Sequence, residues 1–172
     1  RQLAPSMPSG YEAFGSAVAL QGTTAAVGAP DHTEWVEGSL SGGAVYVFDL
    51  ALPEPEWPPQ METHLLLGSR RNDSGKLGWS VALDGATLLA GAPGLDAAQP
   101  MAGAALVFTQ IGDSWSHTAT IEATDGVMYS MFGYSVDLSS GVAVVGSPED
   151  SLGIDPSGED AVGLTGSVYL AD

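Results

Sequence analysis

The chain has 172 residues, and its 21 acidic against 4 basic side chains give a net charge of −17. This charge repels phosphate backbones and argues against nucleic-acid binding, and the absence of cysteine excludes disulfides and thiolate metal sites. The 23 Gly and 11 Pro residues argue against a helical protein, while a hydrophobic share of 44% excludes a disordered acidic tail. No apolar run approaches the roughly 18 residues that a transmembrane helix needs.

The first predicted element is a strand that occurs three times, in residues 14–20 (FGSAVAL), 77–83 (LGWSVAL) and 132–138 (FGYSVDL). Bulky residues alternate with small ones, which is typical of a strand packed on both sides. A link of two or three residues follows each copy, and Asp84-Gly85 is a strong hairpin signal.

Three more elements recur in the same order. The second ends in GAP or GSP at residues 27–30, 90–93 and 145–148, and the third covers 43–48, 103–108 and 166–170. A fourth is predicted at 63–67 and 115–122, and an apolar residue precedes each first strand by 11 positions: Leu3, Leu66 and Ile121. Four antiparallel strands repeated about every 60 residues predict an all-β fold of β-propeller blades, with a β-sandwich as the alternative. The predicted units are about 1–62, 63–116 and 117–172 of a single region.

Phe-Gly followed at fixed spacing by Gly-Ala-Pro resembles the signature of FG-GAP repeat proteins, whose best-known members form the β-propeller head of integrin α subunits. The resemblance covers nearly the whole chain and implies a propeller whose ligands bind at one rim. One feature departs from the integrin pattern. The calcium-binding DxDxDG loop between the first two strands is absent, because a turn such as Asp84-Gly85 cannot supply six to eight oxygen ligands. No cofactor is therefore expected.

A weaker cation site is conceivable in the loop of the third unit. That loop carries five carboxylates, at Glu149, Asp150, Asp155, Glu159 and Asp160. The alternative interpretation is a solvated acidic loop.

Three units are fewer than the four to eight blades of a usual propeller. The sequence opens on a segment that aligns with a fourth strand and stops after a third one. We expect these blades to be part of a larger propeller, in a longer chain or, alternatively, in a ring that several copies complete.

The long loops between second and third strands, at about 31–42, 94–102 and 149–165, share a rim with the connections at about 4–13, 68–76 and 123–131. Loops on one rim usually carry propeller function. Trp35, Arg70, Arg71 and Lys76 are the candidate partner-binding residues there. The basic ones either pair with acidic loop residues such as Asp31, Glu34 and Glu37 or bind an acidic partner.

The Pro-rich insertion at 52–59 carries Trp57, which packs on its own blade or anchors a partner. Trp79 and Trp115 are expected to be structural. Asn72 begins an N-glycosylation sequon that matters only if the protein enters the secretory pathway.

No catalytic motif is visible. His32, His64 and His117 lack metal-ligand spacing, and no nucleophile elbow, P-loop or dinucleotide fingerprint occurs. Asp137 stands where the other units have Ala19 and Ala82, so we expect its carboxylate to hydrogen-bond nearby.

The sequence therefore favours a non-enzymatic scaffold for protein partners, as an adhesion-type propeller or an accessory subunit of a large complex. A carbohydrate- or cation-binding module that uses acidic rim loops is the alternative, and a glycoside hydrolase ranks third. The family resemblance implies an extracellular or organelle-lumenal location.

Overall fold

The computed structural model describes residues 2–6, 10–36, 39–40, 42–51, 59–68, 74–150 and 166–171. Within these ranges all regular structure is strand, and no helix is long and apolar enough to cross a membrane.

Eleven of the thirteen described strands form three antiparallel sheets that follow one another along the chain, which confirms the prediction of propeller blades. Each sheet is a meander in which consecutive strands pair. Blade 1 contains β1 (Ala17–Gln21), β2 (Thr24–Ala29), β5 (Ala44–Asp49) and β6 (His64–Leu67). Blade 2 contains β7 (Ser80–Asp84), β8 (Thr87–Ala92), β9 (Ala104–Ile111) and β10 (Ser114–Ile121). Blade 3 contains β11 (Ser135–Ser139), β12 (Val142–Ser147) and β13 (Ser167–Ala171).

A short hairpin that the sequence did not predict lies in the loop between β2 and β5. Its strands are β3 (Trp35–Val36) and β4 (Ser39–Leu40), with Trp35 paired to Leu40 in register.

The first strand of each blade begins three residues later than predicted. The glycine of the FG motif adopts a left-handed conformation in every blade, with φ of 93° at Gly15, 86° at Gly78 and 91° at Gly133. Because a residue with positive φ interrupts a strand, the residue before each glycine lies outside the strands of its own blade. Leu77 and Phe132 instead form isolated bridges to Gly43 and Gly103 of the preceding blade. The predicted alternation that began at Phe14, Leu77 and Phe132 was therefore wrong for its first positions.

The blades stack face to face through two apolar cores. Between blades 1 and 2, Val45, Val47 and Leu66 pack with Leu88 and Phe108, and the small Ala19 lets the sheets approach. Between blades 2 and 3, the core is built from both sheets by Ala82, Leu89, Ala105, Phe132, Ala143 and Val145. The innermost strands β1, β7 and β11 lie side by side.

The FG and GAP motifs meet at each of these interfaces. Gly28 of blade 1 lies against the Gly78 carbonyl of blade 2, and Gly91 of blade 2 lies against the Gly133 carbonyl of blade 3. A Cβ at Gly28 or Gly91 would overlap that oxygen, so only glycine permits the approach. The FG glycine of one blade and the GAP glycine of the preceding blade thus form the contact that joins the two blades.

A third apolar cluster covers the side of blade 1 that faces away from blade 2. It contains Tyr46 and Phe48, with Leu3 and Phe14 packed on it. Leu3 occupies the place that Leu66 and Ile121 take in the other two cores, as their equal spacing to the following first strand indicates.

Candidate interaction rim

An ion pair joins two of the predicted rim loops. Lys76 Nζ contacts Asp31 Oδ1 between blades 2 and 1, with both side chains about two-fifths exposed. The pair matches the interpretation in which basic residues neutralise neighbouring acidic loops. Binding of an acidic partner by Lys76 stays a prediction.

The structure leaves most other predicted site residues undescribed. Those outside the described residues are Glu37, Trp57, Arg70, Arg71, Asn72, Asp155, Glu159 and Asp160. Trp35 lies in β3. Among the described residues no group of three or more His, Asp or Glu is arranged to hold a metal ion.

A buried polar cluster that sequence reasoning missed lies beneath the rim of blade 1. The Tyr46 hydroxyl donates to Glu12 Oε2 at 2.6 Å, and the Nδ1 atom of His32 lies 2.9 Å from the same oxygen. All three residues are at most 5% exposed. On the other side of the ring, His32 Nε2 lies 3.8 Å from Glu34 Oε2.

A second tyrosine makes an equivalent arrangement in blade 3. The Tyr169 hydroxyl donates to Asp150 Oδ2 at 2.7 Å and lies 2.8 Å from Asp125 Oδ1. Asp150, a candidate cation ligand from the sequence, is 2% exposed, and its carboxylate already accepts this hydrogen bond.

The two clusters occupy the same repeat positions. Tyr46 and Tyr169 each follow the glycine of the third strand by three residues, and His32 and Asp150 each follow the glycine of the GAP motif by four. Blade 2 has Leu106 and Leu95 at these positions, both buried. The sequence signal for the clusters was the polar residues that blades 1 and 3 have at two repeat positions where blade 2 has leucine.

Both tyrosines resist ionisation. Burial raises the pKa of Tyr46 above its usual range, and the hydrogen bond and negative charge of Glu12 raise it further. Burial likewise raises the pKa of Tyr169, with Asp150 and Asp125 adding to the effect. The hydroxyls therefore remain donors to the carboxylates. These buried hydrogen bonds hold the rim loops that contain Glu12 and Asp150 against their blades.

Above the clusters the rim exposes aromatic and apolar side chains. Tyr11 and Tyr129 stand three residues before Phe14 and Phe132, and they are 94% and 52% exposed. Met128 beside Tyr129 is half exposed as well.

Each exposed tyrosine is followed by an anchored residue. After Tyr11 comes the buried Glu12, whose carbonyl accepts from the Asp31 amide at 3.1 Å. After Tyr129 comes Ser130, fully buried, whose hydroxyl donates to the Ala102 carbonyl at 3.1 Å. The Tyr129 amide itself donates to the Pro100 carbonyl at 3.2 Å. The rim thus presents its tyrosines on a fixed backbone.

The remaining predicted residues lie away from this rim surface. Trp115 packs partly buried on the core between blades 1 and 2. Trp79 is 39% exposed and contacts Tyr134 of blade 3 with ring centroids 5.4 Å apart. Asp137 is exposed and accepts from the Leu138 amide at 2.9 Å, which is a bond to its own strand.

The glycine contacts between blades and the repeated strand order match a known family. The model of the FG-GAP repeat family matches residues 1–48 and 115–171. The chain belongs to the FG-GAP repeat family. A comparison with curated proteins finds no match. FG-GAP repeats form β-propeller blades and are typical of extracellular proteins with roles in adhesion or interaction.

The FG-GAP hairpins of this chain are short where the integrin repeats have a calcium loop. The turns between first and second strands contain Gly22, Gly85 or the pair Ser140-Gly141 at positive φ.

Proposed function

We propose that this FG-GAP protein is a non-enzymatic scaffold that binds a protein partner at the rim carrying Tyr11, Met128 and Tyr129. The observation that carries the proposal is the pairing of an exposed tyrosine with a buried anchor at the same position of blades 1 and 3. Tyrosine and methionine are enriched at protein interfaces, and tyrosine is a frequent hot-spot residue.

Fixed loops support this function. A loop that is ordered before binding loses less conformational entropy when a partner docks. The Glu12–His32–Tyr46 and Asp125–Asp150–Tyr169 clusters supply that order, because their polar groups bond to one another beneath the surface. FG-GAP repeats are typical of extracellular proteins, and we propose an extracellular or lumenal site of action for this protein.

A photo-crosslinking amino acid placed at position 11 or 129 tests the proposal. We expect both positions to capture the same protein from the native source, and position 111 to capture none. Ile111 is a matched control, since it is 70% exposed but is the last residue of β9, next to the turn between the third and fourth strands and so at the opposite rim.

The purified partner then gives the quantitative test. Tyr11→Ser and Tyr129→Ser are each expected to raise its Kd by about 30-fold, the effect of a hot spot of about 2 kcal/mol, while Ile111→Ser leaves it unchanged. Equal capture at all three positions, or a Kd that neither tyrosine variant changes, would contradict the proposal. A signal on glycan arrays without any protein adduct would favour the carbohydrate-binding alternative.

A further inference from the structure

A polar cleft opens between blades 1 and 2, at the rim opposite the proposed partner site. Its volume is about 520 Å³, within the range of about 300–1,000 Å³ that small-molecule sites occupy. Each of its two walls belongs to a blade with four paired strands. The cleft is thus a feature of an interface that lies wholly inside this sequence.

Strand pairing explains the wall on blade 1. Thr24 of β2 lies opposite Asp49 of β5, and His64 of β6 lies opposite Val47. Val47 packs into the core between blades 1 and 2, and Asp49 follows it by two residues on the same face of the strand. Thr24, Asp49 and His64 therefore face blade 2 at the edge of this core.

The wall on blade 2 is built in the same way. Trp115 of β10 lies opposite Gln110 of β9. Gln110 follows the core residue Phe108 by two positions, and Trp115 packs partly buried on the same core. Asp113 lies in the turn between these strands and completes the wall. An indole, an amide and a carboxylate therefore face the polar residues of blade 1.

Hydrogen bonds within blade 1 order its wall before any ligand binds. The Thr63 hydroxyl donates its proton to the Val47 carbonyl at 3.0 Å, so it accepts the hydrogen bond from His64 Nδ1, 3.2 Å away. The neutral ring of His64 therefore leaves Nε2 as an acceptor. Asp49 Oδ1 accepts from the Ala51 amide at 2.9 Å. Groups that are already ordered lose less conformational entropy on binding.

The fold of a blade does not require this polar wall. By strand pairing, blade 2 has Thr109 and Ala119 at the positions of Asp49 and His64. The corresponding hollow between blades 2 and 3 is lined mainly by apolar side chains, among them Leu89, Val107, Ile121 and Leu138. Blade 2 forms the same strands without a carboxylate or an imidazole there, so these groups are available for another role.

We propose that the cleft between blades 1 and 2 binds a neutral oligosaccharide. Sugar hydroxyls both donate and accept hydrogen bonds, and the cleft offers both kinds of partner in three threonine hydroxyls, the Gln110 amide and the carboxylates of Asp49 and Asp113. The Trp115 indole supplies an apolar surface for the C–H face of a sugar ring. This site is separate from the acidic loops of the other rim, where the sequence suggested carbohydrate or cation binding.

The charge of the cleft selects among sugars. No Lys or Arg is found among the described residues that line it, whereas Asp49 and Asp113 are both acidic. A uronate, sialyl or sulfated sugar would place its negative charge beside these carboxylates, which is unfavourable in a cleft of one sign. The expected ligand is therefore uncharged.

Titration calorimetry of the purified protein with cellotriose, maltotriose, mannotriose and chitotriose tests the proposal. We expect at least one of them to bind with a Kd of about 1 mM or tighter. The Kd should stay constant between about 0.05 and 0.5 M NaCl, because a neutral ligand has no charge interaction to screen. Failure of all four to bind at about 10 mM overturns the proposal. Binding of trigalacturonate or spermidine in their place overturns the assigned ligand class.

A conservative variant then locates the site. Asp113 is exposed in a turn, so Asp113→Asn should leave the fold intact and raise the Kd of the sugar by about 10-fold through loss of a charged acceptor. Asp137→Asn is the matched control, an exposed carboxylate of blade 3 that accepts from the Leu138 amide, and it should leave the Kd unchanged. An unchanged Kd in Asp113→Asn, or equal weakening in both variants, overturns the assignment to this cleft.

A double variant tests the blade 1 wall. Asp49→Thr combined with His64→Ala introduces the residues that blade 2 carries at these positions, and it should raise the Kd at least about 30-fold while circular dichroism stays unchanged. Undiminished affinity of the folded double variant overturns the proposal. Tyr11→Ser at the other rim should leave sugar binding unchanged, so this proposal and the proposed partner site succeed or fail separately.

Discussion

Substitution of the GAP glycines should distinguish an occupied blade interface from a free one. In Gly91→Ala, the new methyl group overlaps the Gly133 carbonyl, a backbone atom that cannot move without shifting blade 3. In Gly146→Ala, the methyl group meets only the Ser135 side chain, which can rotate away. Neither glycine has a positive φ, so the added side chain brings no backbone strain of its own.

The expected difference is large enough to measure. Overpacking costs about 1–3 kcal/mol, and loss of the Ser80–Gly133 hydrogen bond costs about 1 kcal/mol more. Replacing a strand glycine by alanine returns about 0.5–1 kcal/mol. The net loss of unfolding free energy for Gly91→Ala is therefore about 1–3.5 kcal/mol, and Gly146→Ala should be neutral or slightly stabilising.

Thermal and urea unfolding followed by circular dichroism would provide the test. Both variants are compared with the unsubstituted chain at several protein concentrations, because association would add a concentration-dependent term to the stability. A loss of about 1–3.5 kcal/mol corresponds to a Tm lowered by about 2–14 °C for a chain of this length. Equal effects of the two substitutions would refute the role of the FG–GAP contact.

Three further results are expected. Tyr46→Phe should lower the free energy of unfolding by about 1–3 kcal/mol in urea titrations, because Glu12 and His32 lose their buried hydroxyl partner; an unchanged midpoint would contradict this. The pKa of Tyr46 is raised in the folded protein. The contribution of Tyr46 to the free energy of unfolding is therefore complete below the unfolded pKa of about 10, and it decreases by up to about 1.4 kcal/mol per pH unit above that pKa. Tyr46→Phe should therefore flatten the alkaline side of a stability–pH profile, and an identical slope in both proteins would argue against the shift. Lys76→Ala should cost at most about 1 kcal/mol, less at high salt, because the pair with Asp31 is exposed; a larger, salt-independent loss would be inconsistent with a surface ion pair.

The sequence predicted the strand order of the blades because the repeat supplies three copies of the first three strands and two copies of the fourth. The small residues at Ala19 and Ala82 correctly indicated close approach of neighbouring sheets. The same pattern could not show that Gly15, Gly78 and Gly133 interrupt the first strand, because a glycine is compatible with a strand as well as with positive φ. The exposure of Val18 and Leu20 also escaped prediction, since it depends on which neighbouring blade is present.

The buried clusters were missed for a different reason. Glu12, His32 and Tyr46 come from three separate segments, and only the folded blade brings their side chains within hydrogen-bond distance. Charged residues in the rim loops are easy to recognise in the sequence, whereas the polar groups that bond to one another beneath the rim are buried. Comparison of Tyr46 and Tyr169 with Leu106 across the repeats would have located the clusters from sequence alone.

An experimental structure of this chain would test the central claim most directly, which is that an FG glycine docks on the GAP glycine of the preceding blade. We predict the Gly78 carbonyl against Gly28 and the Gly133 carbonyl against Gly91, with the Gly133 carbonyl accepting a hydrogen bond from Ser80 Oγ. Blades that meet through other residues, with these carbonyls away from both glycines, would contradict the account.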